Sequence, residues 1–493
     1  MKSTSALFTD FYSLTMAQGY WKRDRLRPNP VCAVFEMFFR HQPFNGGYSI
    51  FAGLGTLLES LAGLSFSDDD ITYLKSFKIF EDGFLDFLKT FRFNGNLWAM
   101  NEGTIIFPQE PVIRVEGTLI ECQIIEGMIL NIINFQTLIA TKTCRIWLAS
   151  KKGSVMEFGL RRAQGPDGAL SASRAAFIGG ASGTSNTLAG KTYGIPAMGT
   201  MAHSWIMSFD SEEEAFENYA GLYPDRAIFL IDTYDTLKSG IQNAIKVGKK
   251  LAAQGKNFGV RLDSGDIQYL STEVRRILDD AGLTSAFITV SNDLDEYIIE
   301  TLVKENAPVN SWGVGTKMIT GGQRSNAVCG AFCGVYKMSA RIDEKNIIPV
   351  MKVSDNPEKT TNPAIKQVWR IKDKSGFAVA DVIGIENTDK LTTGMRCCFW
   401  HPCGDYRHFY HTIDGSAEPL LKKRIDNGVL AEALPSLAEI KTCKEASLES
   451  FDSTYKRLLN PHIYKVSITE NLRNLKLELI QKHLGSRDLK TTP

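Results

Sequence analysis

Six short polar stretches, each placed where an apolar run ends, hold the residues of this chain best suited to chemistry. They are Glu157-Phe158-Gly159-Leu160-Arg161-Arg162, Gly199-Thr200-Met201-Ala202-His203, Asp232-Thr233-Tyr234-Asp235, Arg261-Leu262-Asp263-Ser264-Gly265-Asp266, Ser291-Asn292-Asp293 and Gly313-Val314-Gly315-Thr316. Gly313, Gly315 and Thr316 allow the backbone to approach a phosphate with its N–H groups aimed at it. Arg261 adds a planar fork for the same group. Asp263, Asp266 and Asp293 are carboxylates suited to sugar hydroxyls or a hydrated magnesium ion. Phe158 close to Arg161 suits a flat acidic ring, one by stacking and the other by charge pairing. His203 follows two residues fit for close contact with an anion and is the most reactive member of the set. The composite ligand has phosphate, polyol and aromatic-acid parts.

Taken singly, each residue has an ordinary explanation. Ser211, Asp235 and Asp293 are placed as helix N-caps. A Gly-x-Gly-Thr sequence also makes a turn, and one of Arg161 and Arg162 belongs on a solvated surface. Six such ends at equivalent positions of one fold are what argues for a shared site.

The elements that must position them alternate. Strand-like runs at Val155–Phe158, Ala197–Met201, Ala227–Ile231, Phe258–Leu262, Ala286–Val290 and Trp312–Thr316 are separated by helical stretches. The helices start at Ser171, Asn186 and Ser211 and cover 236–253, 267–282 and 295–306. Such alternation implies a parallel sheet with right-handed crossovers. Polar ends spread over every strand favour an irregular α/β (TIM-like) barrel; a doubly wound open sheet concentrates its site at one switch point. Residues 1–135 form an N-terminal α/β domain, with a strand at Val31–Phe39, a helix at Tyr48–Leu64 and antiparallel strands over Asn96–Glu121. A long buried helix, Ile120–Ala149, leads into the barrel domain, 136–334. The C-terminal region, 335–493, has strands at Val335–Ile342, Val350–Val353 and Gln367–Ile371 and then helices over the last 60 residues.

Composition narrows the class. The 493 residues carry 56 Lys and Arg against 55 Asp and Glu, a formal net charge of +1, so neither sign dominates as nucleic-acid or membrane-surface binding would require. Apolar runs are interrupted before the roughly 18 to 20 residues of a membrane span, and the start lacks a signal-peptide core. The expectation is a cytoplasmic protein. Nine scattered cysteines fit reduced thiols. Cys329 with Cys333, and the crowd of Cys397, Cys398, His401, Cys403, His408 and His411, lack paired zinc-finger spacing, and buried thiols with ordinary histidines are the preferred reading. Ser185 to Thr192 resembles a phosphate-binding loop but has Ser185 where the motif needs its first glycine, and it reads as helix interior.

Beyond the strand ends, three further segments stand out: Thr9-Asp10-Phe11-Tyr12-Ser13-Leu14-Thr15-Met16, Phe35-Glu36-Met37-Phe38-Phe39-Arg40, and Val353-Ser354-Asp355-Asn356-Pro357-Glu358-Lys359 with Asn362-Pro363. In this order and spacing the chain closely resembles the nicotinate phosphoribosyltransferase family over nearly its full length. The resemblance implies an N-terminal α/β domain and an irregular α/β barrel with the C-terminal region packed back on it. It implies conversion of nicotinate and phosphoribosyl pyrophosphate to nicotinate mononucleotide and pyrophosphate. This is a glycosyl transfer of NAD salvage, coupled to ATP hydrolysis, classed as a ligase and dependent on Mg²⁺. His203 resembles the histidine transiently phosphorylated by ATP, and a neutral imidazole with a reference pKa of ~6.5 suits that role. Phe158 resembles the ring-stacking aromatic, with Tyr12 reaching the same ring from the neighbouring subunit of a homodimer. Arg161 and Thr200 resemble contacts to the nicotinate end. Arg261, Gly315 and Thr316 resemble phosphate contacts, with Arg324 a further candidate, and Asp263 and Asp293 the ribose and metal-side carboxylates. The related nicotinamide enzyme carries an aspartate at the position of Ser185, so the uncharged Ser185 favours nicotinate. Nicotinamide or quinolinate as the base, a non-catalytic phosphosugar sensor, and a Schiff-base aldolase using Lys317 are the alternatives.

Overall fold

The computed structural model describes residues 4–322, 331–344 and 346–484. They fall into two compact units: one takes the chain up to Leu138 and again from Ala331, and the other is Ile139–Gly330. All six polar strand ends lie in the second unit.

That unit is organised by a parallel sheet. Its strands are β1 (Ser154–Glu157), β2 (Gly183–Thr184), β3 (Ile228–Leu230), β4 (Gly259–Leu262), β5 (Phe287–Val290) and β6 (Ser311–Val314), paired in the order β3-β4-β5-β6-β1-β2. Phe229, Val260, Ile288 and Val314 are fully buried, as strands covered on both faces require. Between the strands run helices Gly165–Gly179, Glu212–Leu222, Ile241–Ala253, Ile267–Asp280 and Glu296–Lys304. Helix Ile267–Asp280 buries Ile267, Ser271, Val274 and Leu278, one stripe at helical spacing. Side-chain caps fix the helix starts: Ser211 accepts from the Glu214 N–H, Asp266 from Tyr269, and Asp295 from Tyr297 and Ile298. Because all six strands run parallel, their C-terminal ends emerge on one side of the sheet.

Three expectations are corrected here. The strand expected over Ala197–Met201 is a single rung, Ala197 beside Thr184, flanked by Thr184 N–H to Pro196 O at 3.0 Å and Met198 N–H to Thr184 O at 2.9 Å. Pro196 has no N–H to extend it, and from Thr200 the chain turns to side-chain partners. The helix expected over 236–253 opens with one wide π turn, Thr236–Gly240, before regular helix begins at Ile241. There Gly240 packs so close to the Ile231 carbonyl that a Cβ would stand 1.9 Å from its oxygen. Lastly, the hydrogen-bonded sheet is open: β3 forms one edge and β2 with the Ala197 rung the other, so strand pairing describes a parallel α/β sheet and not a closed barrel.

The first unit carries two large, mainly antiparallel sheets and two small two-stranded ones. In the larger, of seven strands, Cys32–Phe39 lies between Ile113–Thr118 and Gly334–Asp343. The expected helix at Tyr48–Leu64 is shorter, Leu54–Ala62; Ser49–Ile50 is a strand, and Gly53 at φ 100° makes the turn between them. The long helix expected from Ile120 is two, Leu119–Ile124 and Glu126–Ala149. The strand expected at Val350–Val353 lies instead at Asn346–Pro349. The C-terminal helices are Leu437–Glu449 and Glu470–Leu484, with strand Val466–Ile468 between them.

Two segments that stood out in the sequence meet in this unit. Lys366 Nζ pairs with Glu36 at 2.8 Å and donates to the carbonyls of Asn362, Pro363 and Ala364. Burial pushes the Glu36 carboxyl up and the Lys366 amine down, and their mutual charge opposes both shifts. Their role is architectural. Cys397, Cys398 and His401 lie on strand Arg396–His401, paired with the strand Gly404–Thr412 that carries His408 and His411. Among the described residues, no three His, Cys, Asp or Glu side chains are grouped to hold a metal ion, and no helix is long and apolar enough to cross a membrane.

Candidate active site

At the C-terminal ends of the strands opens a cavity of about 480 Å³, within the size range of small-molecule sites. Arg261, at the end of β4, organises one side of it. Its Nη1 donates to Thr200 Oγ1 at 2.8 Å, its Nε to Ser291 Oγ at 2.9 Å and its Nη2 to Asp263 Oδ1 at 2.8 Å. Its side chain is only 13% exposed, so the guanidinium is held in place and still faces the cavity. Ser291 also donates to Asp263 Oδ1. Burial works against the Asp263 charge, but the Arg261 cation, the hydrogen bonds from Ser291 and Arg261, and His203 outweigh it and hold the carboxyl below its usual range. Its other oxygen, Oδ2, stands 3.7 Å from His203 Nε2. On the far side of the imidazole, His203 Nδ1 is 3.1 Å from Thr233 Oγ1.

Asp232, one turn over, braces this arrangement. Its Oδ2 accepts from the Asp263 N–H at 3.0 Å and from Ser264 Oγ at 2.6 Å, while its Oδ1 is buried with no hydrogen-bond partner among the described residues.

The opposite side is built around Phe158. Its ring lies over Gly313, where a Cβ would meet ring carbons at 2.7 and 2.8 Å, so the ring's position requires glycine there. The Arg261 guanidinium carbon is 5.9 Å from the ring centroid, at the outer range of a cation–π contact. Beneath, Glu157 is fully buried. It accepts from the Gly159 N–H, from Ser173 Oγ at 2.9 Å and from Thr184 Oγ1 at 2.5 Å. Glu157 therefore ties the turn carrying Phe158 and Arg161 to the one carrying Ser185. Asn292 lines the cavity with a left-handed φ of 101°, which asparagine tolerates better than most residues.

Most of the residues singled out in the sequence converge here. His203, Asp263, Asp293, Phe158, Arg161, Ser185, Thr200, Arg261, Gly315 and Thr316 all line this one cavity. Arg161 and Arg162 are both exposed and both line it, so neither is given over to the outer surface alone. Asp293 is not a cap: Asp295 holds that place for helix Glu296–Lys304. Asp266 and Asp235 do serve as caps and stay outside the lining, as does Lys317. Tyr12 belongs to the other unit, half-exposed on helix Phe11–Asp24. Arg324 and Cys329 lie outside the described residues. Ser185 to Thr192 does leave a strand, β2, with Asn186 capping helix Thr187–Tyr193, in place of the expected helix interior. Ser291, Asp232 and Glu157 stand in the six polar stretches, but their bracing role was not among the expectations. Their one visible signal is a polar residue in or directly after an apolar strand.

Family models for the nicotinate phosphoribosyltransferase N-terminal domain, family and C-terminal domain match residues 7–134, 154–385 and 365–476. The nicotinate phosphoribosyltransferase of Bacillus subtilis is 38% identical over 97% of this chain and 95% of its own length. That of Homo sapiens is 32% identical over 95% of each. The crystal structure of human nicotinic acid phosphoribosyltransferase superposes with a TM-score of 0.82 at 29% identity, covering 96% of this chain and 99% of that one. With its strand ends gathered in one cavity and its full length matched, the chain belongs to the nicotinate phosphoribosyltransferase family.

Proposed function

We propose that this protein transfers the phosphoribosyl group of phosphoribosyl pyrophosphate to nicotinate, giving nicotinate mononucleotide and pyrophosphate for NAD salvage. The transfer is coupled to ATP hydrolysis through a phosphate carried transiently on His203, which makes the enzyme a ligase in class. The observation that carries the reading is a buried-side guanidinium, Arg261, braced by Thr200, Ser291 and Asp263, in the same cavity as the Phe158 ring and His203.

In this reading Phe158 stacks on the pyridine ring and Arg161 pairs with its carboxylate, while Ser185 adds no negative charge to repel that group. The Gly313–Thr316 turn and Arg261 take the phosphates. As the ring nitrogen attacks the anomeric carbon, positive charge grows on the sugar and negative charge on the departing pyrophosphate. Asp263, kept anionic by Arg261, and Asp293 face the first; Arg261 faces the second. No base is needed, because the pyridine nitrogen attacks without losing a proton.

The Asp263 and Asp293 carboxylates both line the cavity and would hold a hydrated magnesium ion there. When bound, the ion neutralises the leaving group.

The reading includes a homodimer in which Tyr12 of a second copy reaches the ring site. An exposed aromatic surface supports this: Phe8, Phe11 and Tyr12 are each about half exposed, and Phe11 contacts Phe77 at 5.3 Å. It also includes a curled, partly open barrel, supported by the contact between His203, past one edge of the sheet, and Thr233, past the other. A cytoplasmic location accords with the free thiols of Cys32, Cys122 and Cys443.

An assay for nicotinate mononucleotide, run with nicotinate, nicotinamide and quinolinate, each with and without ATP, tests the reading. Product from nicotinate, stimulated by ATP, is expected. No product from nicotinate at any ATP level overturns it.

A further inference from the structure

The imidazole of His203 is held between two different partners. Nδ1 is 3.1 Å from Thr233 Oγ1, whereas Nε2 faces Asp263 Oδ2 across 3.7 Å. Asp263 lines the cavity and Thr233 does not, so Nε2 is the nitrogen presented to a bound ligand. A threonine hydroxyl can donate or accept, so it is compatible with either tautomer. The two tautomers are not equivalent for chemistry. With the proton on Nδ1, donated to Thr233, Nε2 has a free lone pair directed at the cavity. With the proton on Nε2, that lone pair is absent and the nitrogen cannot attack. At 3.7 Å, Asp263 is beyond hydrogen-bond distance and does not fix a proton on Nε2.

We infer that Thr233 is a positioning residue: by accepting the Nδ1 proton it sets the tautomer and ring orientation of His203, so that Nε2 is the nitrogen that takes up phosphate. This rests on the proposed phosphorylation of His203. In the step, the Nε2 lone pair forms a bond to the γ-phosphorus of ATP. The bond from that phosphorus to the bridging oxygen breaks, and its electron pair leaves on the β-phosphate of ADP. Nδ1 keeps its proton throughout, and Thr233 Oγ1 stabilises it as the ring becomes more positive. The same geometry places the new phosphoryl group beside the Asp263 carboxylate, a like charge that favours its onward release over accumulation.

Incubating the full-length enzyme with ATP and identifying the phosphohistidine isomer by ³¹P NMR of the denatured protein, with peptide mapping to His203, tests the inference. The Nε2 isomer is expected in the wild type. Thr233→Val keeps the shape but removes the acceptor; it is expected to slow phosphorylation about fivefold, the effect of one lost hydrogen bond, and to allow some Nδ1 isomer. Thr233→Ser is expected to restore both rate and isomer, which a purely steric role for the side chain does not predict. ¹⁵N NMR of His203 in the resting enzyme is expected to show the Nδ1–H form. Phosphate on Nδ1 in the wild type, or a Thr233→Val enzyme that forms only the Nε2 isomer at the wild-type rate, overturns the inference while leaving the proposed reaction standing. Absence of any phosphate on His203 overturns the inference together with the coupling it rests on.

Discussion

Asp263 Oδ2 stands 3.7 Å from His203 Nε2, while the other oxygen of the same carboxylate is bound by Arg261 at 2.8 Å. One anion therefore serves two neighbours, holding the guanidinium firmly and the imidazole loosely. In the proposed reaction the difference divides labour in the cavity: a fixed charge for phosphate and sugar, and a ring whose cavity-facing nitrogen lies beyond hydrogen-bond distance of the carboxylate.

Removing the ring separates coupling from transfer. His203→Ala is expected to retain basal formation of nicotinate mononucleotide and to lose its stimulation by ATP. Initial rates with and without ATP decide this, and an unchanged ATP response would show that the role given to His203 is wrong.

Neutralising the anion acts on the other neighbour. Asp263→Asn leaves Arg261 and Ser291 in place but removes the charge that faces the sugar cation, and kcat/KM is expected to fall about 100-fold or more. Because the folded-state carboxyl lies below its ordinary range, the wild type should not lose this charge until the pH falls below the usual carboxylate range. Any stability it contributes is present above the unfolded-state pKa and is lost as pH falls through the folded-state value. A wild-type pH–rate profile with a limb near neutrality that Asp263→Asn abolishes contradicts this assignment.

The Phe158 ring can be displaced from behind. Gly313→Ala puts a methyl 2.7 Å from the ring, and the ring has to give way. KM for nicotinate is expected to rise roughly tenfold, a cost in the range for overpacking, with KM for phosphoribosyl pyrophosphate changed less. Equal effects on both constants would argue that the ring does not face nicotinate.

A buried pair in the first unit gives a stability prediction. Glu110 is fully buried, with Oε2 accepting from the Phe107 N–H and Oε1 unpartnered by any standing donor. Burial first, and then the neighbouring Asp381, push its carboxyl well above the ordinary value; Arg370 opposes the shift and does not reverse it. Protonated, Glu110 can donate to Asp381, which is already bound by Arg370 and Tyr464. A raised carboxyl in the folded state contributes stability fully below its unfolded-state pKa of about 4.3 and loses it as pH rises through the folded-state value. Glu110→Gln keeps a donor without the titration. Its melting temperature, relative to wild type, is expected to improve steadily as pH is raised from about 5 to about 8. A difference that does not depend on pH would exclude this role.

The alternation of apolar runs and capped helices made the parallel sheet legible, because Ser211 and Asp266 announce their helices and the strands between are mainly apolar. The cavity-facing residues were legible for the same reason: a polar side chain after a mainly apolar strand has few places to go but the sheet's rim. Less visible was whatever depends on partners distant in sequence. Asp293 and Asp295 look alike as candidate caps, and only the start of helix Glu296–Lys304 separates the one facing the cavity from the one closing a helix. Glu157 reads as one more strand residue until Ser173 and Thr184 arrive beside it. The Ala197–Met201 run has strand composition, yet Pro196 and the pull of Arg261 on Thr200 leave it a single rung.

That single rung has a consequence for how the site responds to its own chemistry. At the cavity, side chains from the segment past Ala197 reach across to the far strands, Thr200 to Arg261 on β4 and His203 to Thr233 just past β3. The site is thus a seam sewn with two stitches, and in the proposed reaction each stitch ends on a group that faces the arriving phosphate. In that reaction the Thr200 to Arg261 bond is the one open to exchange with a phosphate, while the His203 to Thr233 bond and every backbone rung of the sheet stay intact.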